Sequence, residues 1–436
     1  MSLAVININD AGIQIAVDGD LMRTSPGFAV LDVDKLMVGE AAVQHAKLLP
    51  RWTNNRFWSQ LTTTPLSNGT PDIRHHADLA FAHLEDVWLP LAEQTDQVIF
   101  IVPGYYTAEN LGLLLGMAKE CRLPVKGVVD NSVMVASNLP LRQVVLHLDI
   151  HLHSITLTRL SNTGSLVRKD VKTILETGLA TLWDRWAAII ANQFIQTTRF
   201  DPMHDADSEQ QLFNQLPDWI GKLGQDNMHS FELATGSAEH TVAVSHDSLL
   251  RACTPLYPQI VQAIRSEVPA GEEASLLVSH HFSGFPGLKD SLKLIPEVEA
   301  FDLNEMKSIG SAQLHREKLT SETGSIAHIV QLDSGELSTD MGTLRRAPTH
   351  LLWQNHAYAI GSGFKLGSDL SKGPRQSEQP VCTFYPRNQE LIMDCHEPNG
   401  IRINDQPPEH SNKLQPGDRI EVLGESLITI SVSADG

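Results

Sequence analysis

The chain is short of cysteine, of aromatic residues and of basic charge, and each shortage excludes something. Its four cysteines, Cys121, Cys253, Cys382 and Cys395, are scattered with no Cys-x-x-Cys spacing. That spacing gives no metal or redox motif, and the favoured reading is four reduced, mostly buried thiols. Lysine and arginine number 33 against 52 acidic residues, a formal net charge of −19. Phosphate backbones and anionic lipids would be repelled, so neither nucleic acid nor a membrane surface is expected as the main partner. No apolar run approaches the ~20 residues that span a bilayer. The opening MSLAVININD lacks the basic segment and apolar core of a secretory leader, which predicts a cytoplasmic protein. Missing too are a Gly-x-x-x-x-Gly-Lys loop and a Gly-x-Ser-x-Gly elbow. Aromatics make up 6% and charged residues 19%, against 42% hydrophobic. These values suit a globular chain of two or three domains.

What is present is local order, clearest over residues 97–138. Residues 98–102 form a β-branched, apolar run closed by Pro103-Gly104. Thr107 can cap a helix with Glu109 in its first turn, and Leu111, Leu114, Leu115 and Ala118 share one face. A strand at 125–129 follows, then a helix capped by Asp130 or Asn131. Strand, helix, strand implies a right-handed crossover and a parallel pair. Residues 4–8 and 13–17 flank the turn Asn9-Asp10-Ala11-Gly12, and 144–149 with 155–160 make a second hairpin. Helices are expected at 78–91, 182–197, 208–223 and 248–268. Residues 321–349 read as a linker or loose hairpin, and from 349 onward short strands alternate with turns.

His147, Asp149, His151 and His153 alternate along the second hairpin, and alternate strand residues share a face. Three imidazoles and a carboxylate could bind zinc, with His280-His281 nearby. Four residues on one straight strand cannot all reach one small ion, however, and a turn interrupts them. Hydrogen-bonded or solvent-facing histidines are the favoured reading, with no metal assigned.

The stretch Val102-Pro103-Gly104-Tyr105-Tyr106, then Asp130-Asn131-Ser132-Val133-Met134-Val135-Ala136, resembles the segment joining the lobes of the seventy-kilodalton heat-shock chaperone ATPase. Val38-Gly39-Glu40-Ala41-Ala42 and Ser308-Ile309-Gly310-Ser311-Ala312 resemble further segments of that family. The resemblance runs over about residues 3–320. It implies an α/β two-lobed actin-like ATPase fold of duplicated ribonuclease H-like lobes, the first over 1–138 and the second over 139–320. It also assigns a nucleotide cleft to Asn7, Asn9, Asp10, Asp149, His151, His153, Ser279 and His280. There the chain departs from the family. Asn7 and Asn9-Asp10-Ala11 replace the first phosphate loop. Ile150-His151-Leu152-His153 replaces the second, and Ser279-His280-His281 replaces the glycines of the adenosine loop.

Residues 350–436 resemble a forkhead-associated (FHA) domain, an all-β sandwich that reads phosphothreonine. Asn399-Gly400 through Asn404 and Leu414 through Ile420 match its signatures. Ser362 stands where its phosphate-binding Arg would be, and Ser377 keeps only part of its Ser-x-x-His motif. Lys365 or Arg375 could substitute for the missing guanidinium. The leading expectation is therefore a non-catalytic chaperone-like scaffold working through protein contacts of the lobes or the FHA-like tail, with weak or no nucleotide binding. One alternative is an ATP-driven switch using ATP or ADP with magnesium and Asp149. Another is a metal-dependent hydrolase using the histidine-rich cleft.

Overall fold

Leu3–Asn7 and Ile13–Val17 pair antiparallel around the first turn, and Asp20–Ser25 extends the meander. On the other flank of Leu3–Asn7, Gln97–Val102 pairs parallel, and Val125–Asp130 pairs parallel to that. The helix Ala108–Glu120 makes the crossover, capped by Thr107, whose hydroxyl accepts the Asn110 N–H. The second half repeats this order and these senses. Val144–Ile150, Ser154–Asn162 and Ser165–Leu175 form an antiparallel meander, and Ala274–Val278 and Val298–Asp302 add in parallel on its other flank. The computed structural model describes residues 2–32, 35–223, 226–235, 238–320, 326–333, 349–353, 356–361, 363–368, 374, 376–377, 379–387, 390–396, 400–404, 406–408, 410–414, 418–422 and 425–430.

Strand alternation sorts the side chains of both sheets. Ala4, Ile6 and Ile8 enter one core cluster, and Leu146, Leu148 and Ile150 enter another. The opposite faces, with Leu3, Val5 and Val145, meet in a third cluster shared by the two sheets. The helices Asn131–Ala136 and Lys307–Leu314 fill that shared interior with Val133, Met134, Ile309 and Ala312. Because Asn7, His147 and Asp149 continue the inner faces, alternation alone aims them between the sheets.

Two expectations need correction. The single helix at 248–268 is two helices, His246–Cys253 and Tyr257–Glu267. Pro255 has no N–H to continue the first, and Pro258 suits the opening turn of the second. The 321–349 segment is also more than a linker. His328–Ile329 pairs parallel with Val125–Asp130, and Gln331–Asp333 pairs antiparallel with Ser165–Leu175, so a few residues edge both sheets.

The chain divides into two compact units, Met1–Leu337 and Ser338–Gly436. The first is mixed α/β. In the second, the described residues form antiparallel sheets of five and four strands over one apolar cluster that includes Leu351, Phe384, Met393 and Leu427. No helix among the described residues is long and apolar enough to cross a membrane.

Candidate functional site

The turns of the two hairpins meet between the sheets. In the first turn the Asn9 side chain accepts the Ala11 N–H at 2.9 Å, a local closure that asparagine favours. This aims the amide nitrogen of Asn9 across the gap, where it donates to Asp149 at 3.3 Å and to the Ile150 carbonyl at 3.2 Å. Asp10 follows, and its buried carboxylate accepts the Leu152 N–H at 2.8 Å. Asn7 sits one step back and donates to Gln14 at 3.1 Å.

The second turn is seated on a helix end. His151 N–H donates to the Ser154 carbonyl, which closes the turn. The carbonyls of His151 and Leu152 then accept the N–H groups of Leu179 and Ala180, each at 2.9 Å. Those are the first two donors of the helix Leu179–Thr198, which would otherwise be unsatisfied. Gly178 permits the fit, because a Cβ there would lie 2.3 Å from the carbonyl of Leu152.

Asp149 is buried and its two oxygens are divided. One accepts its neighbour's Ile150 N–H at 2.9 Å and lies 3.6 Å from His281; the other accepts from Asn9 and from Asn131, the latter at 3.3 Å. Burial opposes the charge, but His281 and the surrounding histidines outweigh it and hold the carboxyl well below its usual range. His147 is buried and its pKa is lowered by that burial. His280 is pushed down to about 3 by burial and by His281, whose ring centroid is 3.9 Å away. Ser279 lies 3.1 Å from His281 Nδ1.

The alternating residues part company here. His147 and Asp149 line one small cavity with Asn7, Asn9, Ser279 and His280. His151 packs edge-on against Tyr105 at 5.1 Å, 3.8 Å from Asp10. His153 turns away and donates to the Asn55 carbonyl at 3.0 Å. Among the described residues, no three His, Cys, Asp or Glu side chains gather into a set that could hold a metal. Four buried atoms here have no hydrogen-bond partner in the protein: Asn7 Oδ1, Asp10 Oδ2, His147 Nε2 and His151 Nδ1. The cavity is about 10 Å3, room for about one water molecule.

A larger pocket of about 670 Å3 opens beside it, sharing Ser279 and Leu303. Phe282, Phe285 and Leu288 supply apolar lining, and the Lys289–Asp302 ion pair lies among its polar lining. Sequence reasoning places His280-His281 near Asp149, and His281 does lie 3.6 Å from it, but it does not identify Asn131 as an Asp149 partner. Asn131 was visible only as a helix cap, and its reach to Asp149 depends on how the sheets face each other.

In the second unit, the Ser377 hydroxyl is used within its own loop, donating to the Gln379 carbonyl at 3.1 Å. Asn404 takes a positive φ of 49° and braces Asp418 and Arg419, so its side chain is used within the fold. Ser362, Arg375 and Asn399 lie outside the described residues. No family model matches the chain, and no curated protein matches it.

Proposed function

We propose that the chain is a non-catalytic scaffold or adaptor on a heat-shock-chaperone-like, actin-like frame, working in the cytoplasm through protein contacts and binding nucleotide weakly or not at all. The repeated strand order of the two sheets supports a duplicated frame. The antiparallel second unit supports an FHA-like module as one contact surface.

The observation that carries the reading is the Asp10 carboxylate on the Leu152 N–H. The resemblance assigns both turns to phosphate loops, whose task is to offer backbone donors to phosphate oxygens. Here one donor is held by a carboxylate and the helix-end donors are held by carbonyls. A phosphate would have to displace an anion and then sit beside it, and the neighbouring cavity at Asp149, which Asp10 and Leu152 do not line, is only about 10 Å3. Ligand pockets run to roughly 300–1,000 Å3.

The 670 Å3 pocket favours a second reading, in which an ATP-responsive switch keeps a nucleoside end without a tight phosphate grip. Calorimetric titration of ATP, ADP and adenosine with magnesium separates the two. The scaffold reading expects no saturable binding of ATP tighter than that of adenosine. Low-micromolar ATP binding, or magnesium-dependent turnover abolished by Asp149→Ala, would overturn it.

A further inference from the structure

Cys382 and Cys395 lie on the adjacent strands Cys382–Arg387 and Glu390–Cys395, directly opposite one another in the antiparallel register. The backbone shows which kind of pair they form. His396 N–H donates to the Val381 carbonyl, one residue beyond the pair, and Cys395 N–H turns outward to the His410 carbonyl, both at 2.9 Å. That is the pattern of a non-hydrogen-bonded pair, where Cα atoms approach to about 4.5 Å and side chains lie closest. Disulfides accept Cα separations of about 4.4–6.8 Å. Both thiols are buried and point into the same apolar cluster, next to the Phe384 and Met393 pair on the same face.

We infer that Cys382 and Cys395 are a dithiol–disulfide couple, a covalent modification site that cross-links two strands of the C-terminal unit when the chain folds in the presence of a small disulfide oxidant such as oxidised glutathione. One cysteine thiolate attacks a glutathione sulfur, forming a mixed disulfide and releasing one glutathione thiolate. The second cysteine thiolate attacks the protein sulfur of that mixed disulfide and expels the other glutathione thiolate. The protein loses two protons and two electrons, and the oxidant gains them as two thiols.

The same burial that pairs the thiols shields them. It raises Cys382 to about 12, with a further push from Cys395, and raises Cys395 as well. The thiolate is the reacting species, so the folded dithiol exchanges slowly and the cross-link forms during folding or local opening. Cys121 and Cys253 belong to the first unit and serve as internal controls.

The test refolds the full chain in glutathione buffers of graded ratio, traps free thiols under denaturing conditions and maps tryptic peptides. The expected product joins residues 376–387 to 388–402, lighter by two hydrogens, with Cys121 and Cys253 alkylated. The folded couple should be oxidised at a ratio about ten-fold or more in favour of the disulfide relative to a flexible peptide carrying the same two cysteines. Cys382→Ser and Cys395→Ala should each abolish the joined peptide, and reductant should lower the thermal midpoint of the oxidised wild type only. Refolded chain with native circular dichroism whose Cys382 and Cys395 stay alkylated at ratios that oxidise the peptide would refute the inference. So would cross-links dominated by Cys121 or Cys253.

Discussion

His83 shows how much one buried side chain settles. Its Nδ1 accepts the Trp58 indole N–H at 3.0 Å, so the proton must sit on Nε2, which donates to the Ser25 hydroxyl at 2.8 Å. A serine beside a histidine suggests a nucleophile and its base. Here the ring nitrogen facing Ser25 already carries a proton and cannot take another while neutral. Burial, aided by Arg23, pushes its pKa down to about 3, so the neutral ring persists at physiological pH. The triad of side chains is a structural bolt. We expect His83→Leu to destabilise the chain by about 1–3 kcal/mol for each partner left buried and unpaired, read as a lower urea midpoint. A midpoint unchanged from wild type would show that Trp58 and Ser25 find other partners.

At the scale of elements, the decisive contact is a hairpin turn seated on a helix end. The sequence shows a helix over 182–197, which the structure begins at Leu179, and a turn between the strands 144–149 and 155–160. Nothing in the local pattern says that one plugs the other. The plug depends on Gly178, whose missing Cβ leaves room for the Leu152 carbonyl. Gly178→Ala should therefore push the turn off the helix and cost about 1–3 kcal/mol, the usual range for overpacking. Hydrogen exchange at the Leu179 and Ala180 amides is the direct measure, and protection equal to wild type would contradict the plug. Boundaries were legible where a capping residue marked them, as at Thr107 and Asp130. They were misread at 248–268, where the apolar spacing runs on through Pro255.

For the whole molecule, buried histidines set the response to acid. His83 and His280 are held near 3, and His147, His153 and His76 are also lowered, mainly by burial, from an unfolded value of 6.5. Below pH 6.5 the unfolded chain binds protons that the folded chain refuses, so stability present at neutral pH is lost as pH falls toward 3. Asp149, whose pKa is depressed, acts in the same direction below its unfolded value of 3.8. A fully neutral buried histidine contributes about 1.4 kcal/mol per pH unit well below 6.5. The thermal midpoint should thus be highest above pH 7 and fall steadily to pH 5, less steeply in His83→Gln and His280→Gln. A flat profile over that range would mean these rings protonate without unfolding the chain.

The sequence by itself determined the local grammar: which runs become strands, where most helices start, and which inner-face positions carry Asn7, His147 and Asp149. Alternation of period two and capping chemistry act over a few residues, so they are readable from a few residues. Only the tertiary structure decided what those side chains meet. Asp10 finds the Leu152 N–H 142 positions away, and two edge strands at 328–333 come from a short run between the polar stretches that mark the segment as a linker. Contacts between distant segments depend on how two twisted sheets pack over a shared core, and no local pattern encodes that register.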